Sequence, residues 1–111
     1  MSSVKLSIVV RGSFVAFHRW PGASEQYAYL GALHRHTFHF RCVKSVTHSD
    51  RDVEFNFLKT QMQQAIDIQR HTDDTSTWSC ERWAEWLLEK FQCILVEVNE
   101  DGENGGIAEC I

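Results

Sequence analysis

Apolar and polar residues alternate from Val4 to His18: Val4, Leu6, Ile8, Val10, Phe14, Ala16 and His18 share one parity, and Lys5, Ser7, Arg11, Ser13 and Arg19 take the other. A period of two sends successive side chains to opposite faces, so the segment predicts a long, half-buried β-strand. Trp20-Pro21-Gly22 ends it, because proline donates no ladder hydrogen bond and Pro-Gly favours a turn. A loop to about Ala32 follows. Leu33 to Val46 alternates again, with His34, His36, Phe38, Phe40 and Cys42 against Arg35, Thr37, His39 and Arg41, and predicts a second strand.

Beyond the polar stretch Thr47 to Asp52 the period changes. Phe55, Leu58, Met62, Ala65 and Ile66 recur at helical spacing, which predicts a helix to about Asp67. Gln69 to Trp78 reads as a polar loop. Ser79 suits an N-cap and Glu81 adds negative charge to the first turn of a second helix, whose buried stripe is Trp83, Ala84, Leu87 and Phe91. Cys93 to Asn99 returns to alternation, with Ile94, Val96 and Val98 on one parity that continues to Glu100. Asp101 to Gly106 reads as a turn and Ile107 to Ile111 as a short last strand. The order β-β-α-α-β-β predicts an α+β fold in which two helices cover one face of an antiparallel sheet.

A chain of 111 residues, 43% hydrophobic and with one proline, fits a single domain over residues 1–111 with a real core. No long uncharged apolar run occurs, and Met1 to Lys5 carries no basic stretch leading into one, so the expectation is a soluble, cytoplasmic protein without membrane partners. The net charge of −4 and the scatter of Lys and Arg weigh against nucleic acid and favour a small ligand. Cys42, Cys80, Cys93 and Cys110 form no C-x-x-C and read as free thiols, though Cys80 near a helix start has the alternative of a lowered pKa.

Six histidines are many for this length. His34 and His36 lie two apart on one strand, so both imidazoles project from the same face, and His18 ends the neighbouring strand on its apolar parity. If the strands pair as a hairpin, the three converge. Three imidazoles with one open position describe a catalytic zinc site, whereas a core histidine satisfied by hydrogen bonds is the plainer alternative. His39 faces the other way and His48 falls in a turn, so both read as solvent histidines.

Phe14-Val15-Ala16-Phe17-His18-Arg19-Trp20 resembles F-x-A-A-H-R-L, and Leu33-His34-Arg35-His36-Thr37-Phe38 resembles L-H-G-H-N-Y, both segments of the 6-pyruvoyltetrahydropterin synthase and 6-carboxytetrahydropterin synthase family. Val53-Glu54-Phe55-Asn56-Phe57-Leu58-Lys59, Ser79-Cys80-Glu81 and Val96-Glu97-Val98-Asn99-Glu100 resemble that family's V-D-F-x-x-L-K, P-T-x-E and V-x-V-x-E segments in the same order. The resemblance spans nearly the whole chain. It implies the T-fold, in which subunits join their sheets into barrels as trimers or hexamers. It also implies Zn2+ on His18, His34 and His36, and a pterin held between subunits by Glu100. A carboxylate suits the paired N–H donors of such a guanine-like edge.

The chain departs from the family at two places. Leu30 stands where the family's catalytic cysteine falls, and Asp67-Ile68 stands where its Asp-His relay falls. His71, with Asp67, Asp73 or Asp74 as its orienting partner, and Glu25 are the remaining candidate proton carriers. Arg19, Arg35, Lys44 and Lys59 are candidates for holding a triphosphate. The resemblance therefore supports a zinc-dependent lyase acting on 7,8-dihydroneopterin triphosphate or a related pterin. Leu30 and Ile68 keep open a non-catalytic zinc protein of the same fold that binds a pterin or purine, and a zinc-stabilised structural oligomer is a third alternative.

Overall fold

The computed structural model describes residues 3–111; Met1 and Ser2, part of the N-terminal segment read above, lie outside the described residues. The two alternating segments form β1 (Leu6–His18) and β2 (His34–Val46), which pair antiparallel along their full length from Leu6 opposite Val46 to His18 opposite His34. β3 (Leu95–Glu100) pairs antiparallel with β2, and β4 (Gly105–Glu109) with β3. The result is a four-stranded antiparallel sheet in sequence order, with β1 and β4 at its edges. With helices α1 (Phe55–Thr72) and α2 (Cys80–Phe91) and a 3-10 helix over Glu25–Gly31, the fold is α+β.

α1 packs against β1, and α2 against β3 and β4. Leu58, Met62 and Ile66 form the buried stripe of α1, one helical turn apart, and Cys80, Trp83, Ala84 and Leu87 that of α2. These meet the inward parity of the sheet, where Val10, Phe14, Phe38, Phe40, Cys42, Val96 and Val98 are all buried. Phe14 stacks on Phe38 with ring centroids 5.3 Å apart and meets Trp83 at 4.9 Å, which locks β1, β2 and α2 into one aromatic core. Gly12 falls on the same inward parity, and the Phe40 ring fills the space where its side chain would stand.

Several boundaries differ from those the pattern predicts. α1 continues past Asp67 to Thr72 although the added turn is polar, because that turn is tied inward and down the helix. The Arg70 guanidinium lies 5.8 Å over the Phe14 ring, and the Thr72 hydroxyl donates to the Ile68 carbonyl at 2.8 Å. The loop before β2 contains the 3-10 helix, which buries no residue and so leaves no hydrophobic period to detect. β4 begins at Gly105 rather than Ile107, since α2 packs its start onto that strand: a Cβ on Gly106 would lie 2.7 Å from Glu81 Cγ.

Both long helices begin as side-chain chemistry requires. Ser79 Oγ accepts from Arg82 N–H at 3.1 Å, as expected of an N-cap. At α1 the cap is Glu54, whose carboxylate accepts from the Asn56 and Phe57 amides at 3.1 and 2.7 Å. Among the described residues no helix is long and apolar enough to cross a membrane.

Candidate metal centre and its adjoining cavity

The hairpin register brings the three predicted histidines together. His18 pairs directly with His34, and His36 pairs with Ala16, so all three imidazoles project from one face at the end of the β1–β2 hairpin where the connecting segment joins the strands. Their ring centroids lie 4.5 Å (His18 and His34), 5.4 Å (His18 and His36) and 4.8 Å (His34 and His36) apart. One ring nitrogen from each falls within 4.8 Å of the others, an arrangement able to hold a metal ion.

The hydrogen bonds around the rings determine which nitrogens face the centre. His34 Nδ1 donates to the Ala32 carbonyl at 2.8 Å, which leaves Nε2 with a bare lone pair. That Nε2 is buried and has no hydrogen-bond partner, a costly arrangement for a polar atom unless something electropositive sits against it. His36 Nδ1 donates to Asp101 Oδ2 at 2.7 Å, and His18 has a backbone hydrogen bond to Trp78. Each ring is thus tied through a hydrogen bond to its surroundings, and second partners of this kind fix the ring orientation that a metal ligand needs. The residues present therefore fit a divalent cation favoured by imidazole nitrogen.

Glu100 closes one side of the centre. Its carboxylate oxygens lie 3.2 Å from His18 Nε2 and 3.5 Å from His36 Nε2. Burial pushes His18 below the ordinary histidine value, with the Glu100 charge opposing that shift. His18, His34 and Glu100 also line a cavity of about 530 Å³ together with Arg19, Trp20, Leu30, the start of α2 and the β3–β4 turn. Its volume suits a small heterocyclic ligand.

The candidate proton carriers are placed elsewhere in the same chain. His71 opens on a separate, smaller cavity of about 230 Å³ with Asp73 and Asp74. Its Nδ1 donates to the Asp67 backbone carbonyl at 2.6 Å, while the Asp67 carboxylate lies 3.7 Å from Arg70, so within one chain Asp67 orients His71 through the main chain. Glu25 is exposed in the first turn of the 3-10 helix and is not part of the cavity lined by His18 and His34. Leu30, at the end of that 3-10 helix, does line it. Of the basic candidates, Arg19 reaches the cavity, whereas Lys44 is held by the α2 terminus, donating to the Phe91 carbonyl at 2.6 Å.

Cys80 reaches the same cavity, but its position near a helix start does not make it a thiolate. Burial pushes the thiol up to about 12, and the Glu100 and Glu81 charges act in the same direction. Asp101 is the site residue that sequence pattern alone missed. It sits in the left-handed region at φ 58° in the β3–β4 turn, and its Oδ1 also accepts from the Thr37 amide at 2.9 Å. No protein-family model and no curated protein sequence matches this chain.

Proposed function

We propose that the chain is a zinc-dependent lyase of the 6-pyruvoyltetrahydropterin or 6-carboxytetrahydropterin synthase kind, acting on 7,8-dihydroneopterin triphosphate or a related pterin. The observation that carries this reading is the convergence of His18, His34 and His36, with His34 Nε2 buried and unpartnered, beside a cavity large enough for such a ligand. His18, His34 and His36 would hold the zinc, which supplies Lewis acidity toward the oxygens of the ligand side chain when bound.

The chain's own groups do the rest. Glu100 accepts the paired N–H donors of the pterin edge, Trp20 offers a ring face at the cavity wall, and Arg19 meets negative charge. Within one chain His71 faces a different cavity, so it serves as a proton carrier for this pocket only when a neighbouring copy supplies it. The reading accordingly includes a T-fold homo-oligomer, a trimer or hexamer in which β1 and β4, the two sheet edges, join across copies. Val9, Val15, Phe17 and Ile107 are exposed apolar residues on those two strands, in keeping with burial in such an assembly.

A second reading keeps the fold and the zinc but removes turnover. Leu30 lines the cavity where the family resemblance calls for a cysteine, and the Cys80 thiol there is held protonated, which favours a protein that binds a pterin or purine without changing it. Incubating the zinc-loaded protein with 7,8-dihydroneopterin triphosphate and following substrate and product by mass spectrometry separates the two. Product formation at a steady rate supports the lyase. Ligand retained intact supports the binder, and neither turnover nor retention refutes both.

A further inference from the structure

We propose that Asp101 is a positioning residue for the metal centre, holding His36 in the tautomer and orientation that present Nε2 to the ion. The inference rests on the metal reading above and extends it to a residue outside the ligand set. An ionised carboxylate only accepts hydrogen bonds, so the 2.7 Å contact from Asp101 Oδ2 places a proton on His36 Nδ1; the neutral imidazole that a metal binds then carries its lone pair on Nε2, the nitrogen that faces Glu100 at 3.5 Å. A negatively charged acceptor also makes the imidazole a stronger donor toward a cation than a neutral partner does.

The carboxylate is itself held in place. Oδ1 accepts from the Thr37 amide at 2.9 Å, and the Asp101 amide donates to the Thr37 carbonyl at 2.7 Å. Thr37 is the residue next to His36, so the β3–β4 turn is bolted to the strand that carries two of the three ligands. The backbone at Asp101 adopts φ 58°, a left-handed conformation that aspartate, like asparagine, tolerates better than most residues other than glycine, and the side chain so placed meets Thr37 and His36. The comparison with the other two rings sets this contact apart. Glu100 faces both His18 and His36; beyond it, His34 is tied to the Ala32 carbonyl and His18 to the backbone at Trp78, whereas His36 is tied to the Asp101 side chain.

A turn-forming aspartate with no bearing on the metal is the competing explanation, and two variants separate them. Asp101→Asn tolerates the left-handed backbone and can still accept from Thr37, but then turns an NH2 group toward His36 Nδ1. Asp101→Gly keeps the backbone freedom and removes the carboxylate altogether. Zinc affinity is measured by chelator competition, the visible ligand-field spectrum of the Co2+-substituted protein reports geometry at the ion, and thermal unfolding without metal reports the fold.

The expected result is zinc binding weaker by about 10- to 100-fold in both variants, with an altered Co2+ spectrum and metal-free unfolding close to wild type. Affinity within twofold of wild type and an unchanged spectrum in either variant overturns the inference while leaving the metal centre intact. Wild-type protein that binds neither Zn2+ nor Co2+ overturns the metal reading and this inference together.

Discussion

Truncating His34 to alanine separates what this side chain does with and without metal. Without metal, His34→Ala removes a buried nitrogen that has no hydrogen-bond partner, an arrangement that costs about 1–3 kcal/mol, and gives up one bond to the Ala32 carbonyl worth about 1 kcal/mol. These oppose each other, so the metal-free variant should unfold near the wild-type temperature. With free zinc at about 100 times the wild-type Kd, binding stabilises the wild-type fold by about 2.7 kcal/mol. An unfolding entropy of about 2.1 cal/mol/K per residue gives about 0.23 kcal/mol/K for 111 residues, so the wild-type Tm should rise by about 12 °C. If losing one of three ligands weakens binding about 100-fold, the variant at the same free zinc gains only about 0.4 kcal/mol, or about 2 °C. Differential scanning calorimetry in chelator-buffered zinc reads both numbers directly. A wild-type Tm that zinc leaves unmoved, or a His34→Ala variant that shifts as far as wild type, refutes the assignment of the centre.

Iodoacetamide at neutral pH should alkylate Cys110, which is exposed, and spare Cys80, whose thiol is buried and raised to about 12; peptide mapping showing Cys80 modified first in the folded protein would contradict that environment. Gly12→Ala should lower Tm by about 4–13 °C, from about 1–3 kcal/mol of overpacking against the Phe40 ring, and a change under 1 °C would show that the ring is free to move aside. Asp52 is held below its ordinary value of 3.8 by the Thr47 amide and hydroxyl, so its contribution is present above that ordinary value and is lost as pH falls below it, through the lower value Asp52 has in the fold. Acid unfolding of Asp52→Asn should therefore be less steep than wild type in the window below pH 4, and superimposable curves would show that the turn contributes nothing.

The strands of the centre were legible in the sequence because alternation reports which face a residue occupies, and His18, His34 and His36 all kept the parity of Phe14 and Phe38. That the imidazoles meet followed from one added condition, a hairpin in which His18 falls opposite His34, and the pairing is so. Parity could not reveal what ties the outer nitrogens. Asp101 before Gly102 reads as turn chemistry, and its second role exists only because Phe38 pairs with Glu100, which sets the next residue beside His36 and Thr37. The extra turn of α1 was hidden for a related reason: Gln69 to Thr72 is polar, and its anchorage through Arg70 to Phe14 is a tertiary contact with no periodic trace.

Cys80 shows a local rule losing to its surroundings. A helix start favours thiolates, but this one is buried against the sheet with Glu100 and Glu81 nearby, and desolvation and negative charge act together against ionisation. The same surroundings bear on the metal. Glu81 and Glu100 place carboxylates in a cavity walled by Leu30, Trp20 and the α2 start, so the pocket has little positive charge beyond Arg19 to offset them. A divalent cation on the three histidines would supply that charge beside Glu100. Ligand affinity should therefore depend on metal loading even for a ligand whose ring is held by Glu100 alone, because the cation would sit against the Glu100 carboxylate, whose oxygens lie 3.2 and 3.5 Å from His18 and His36.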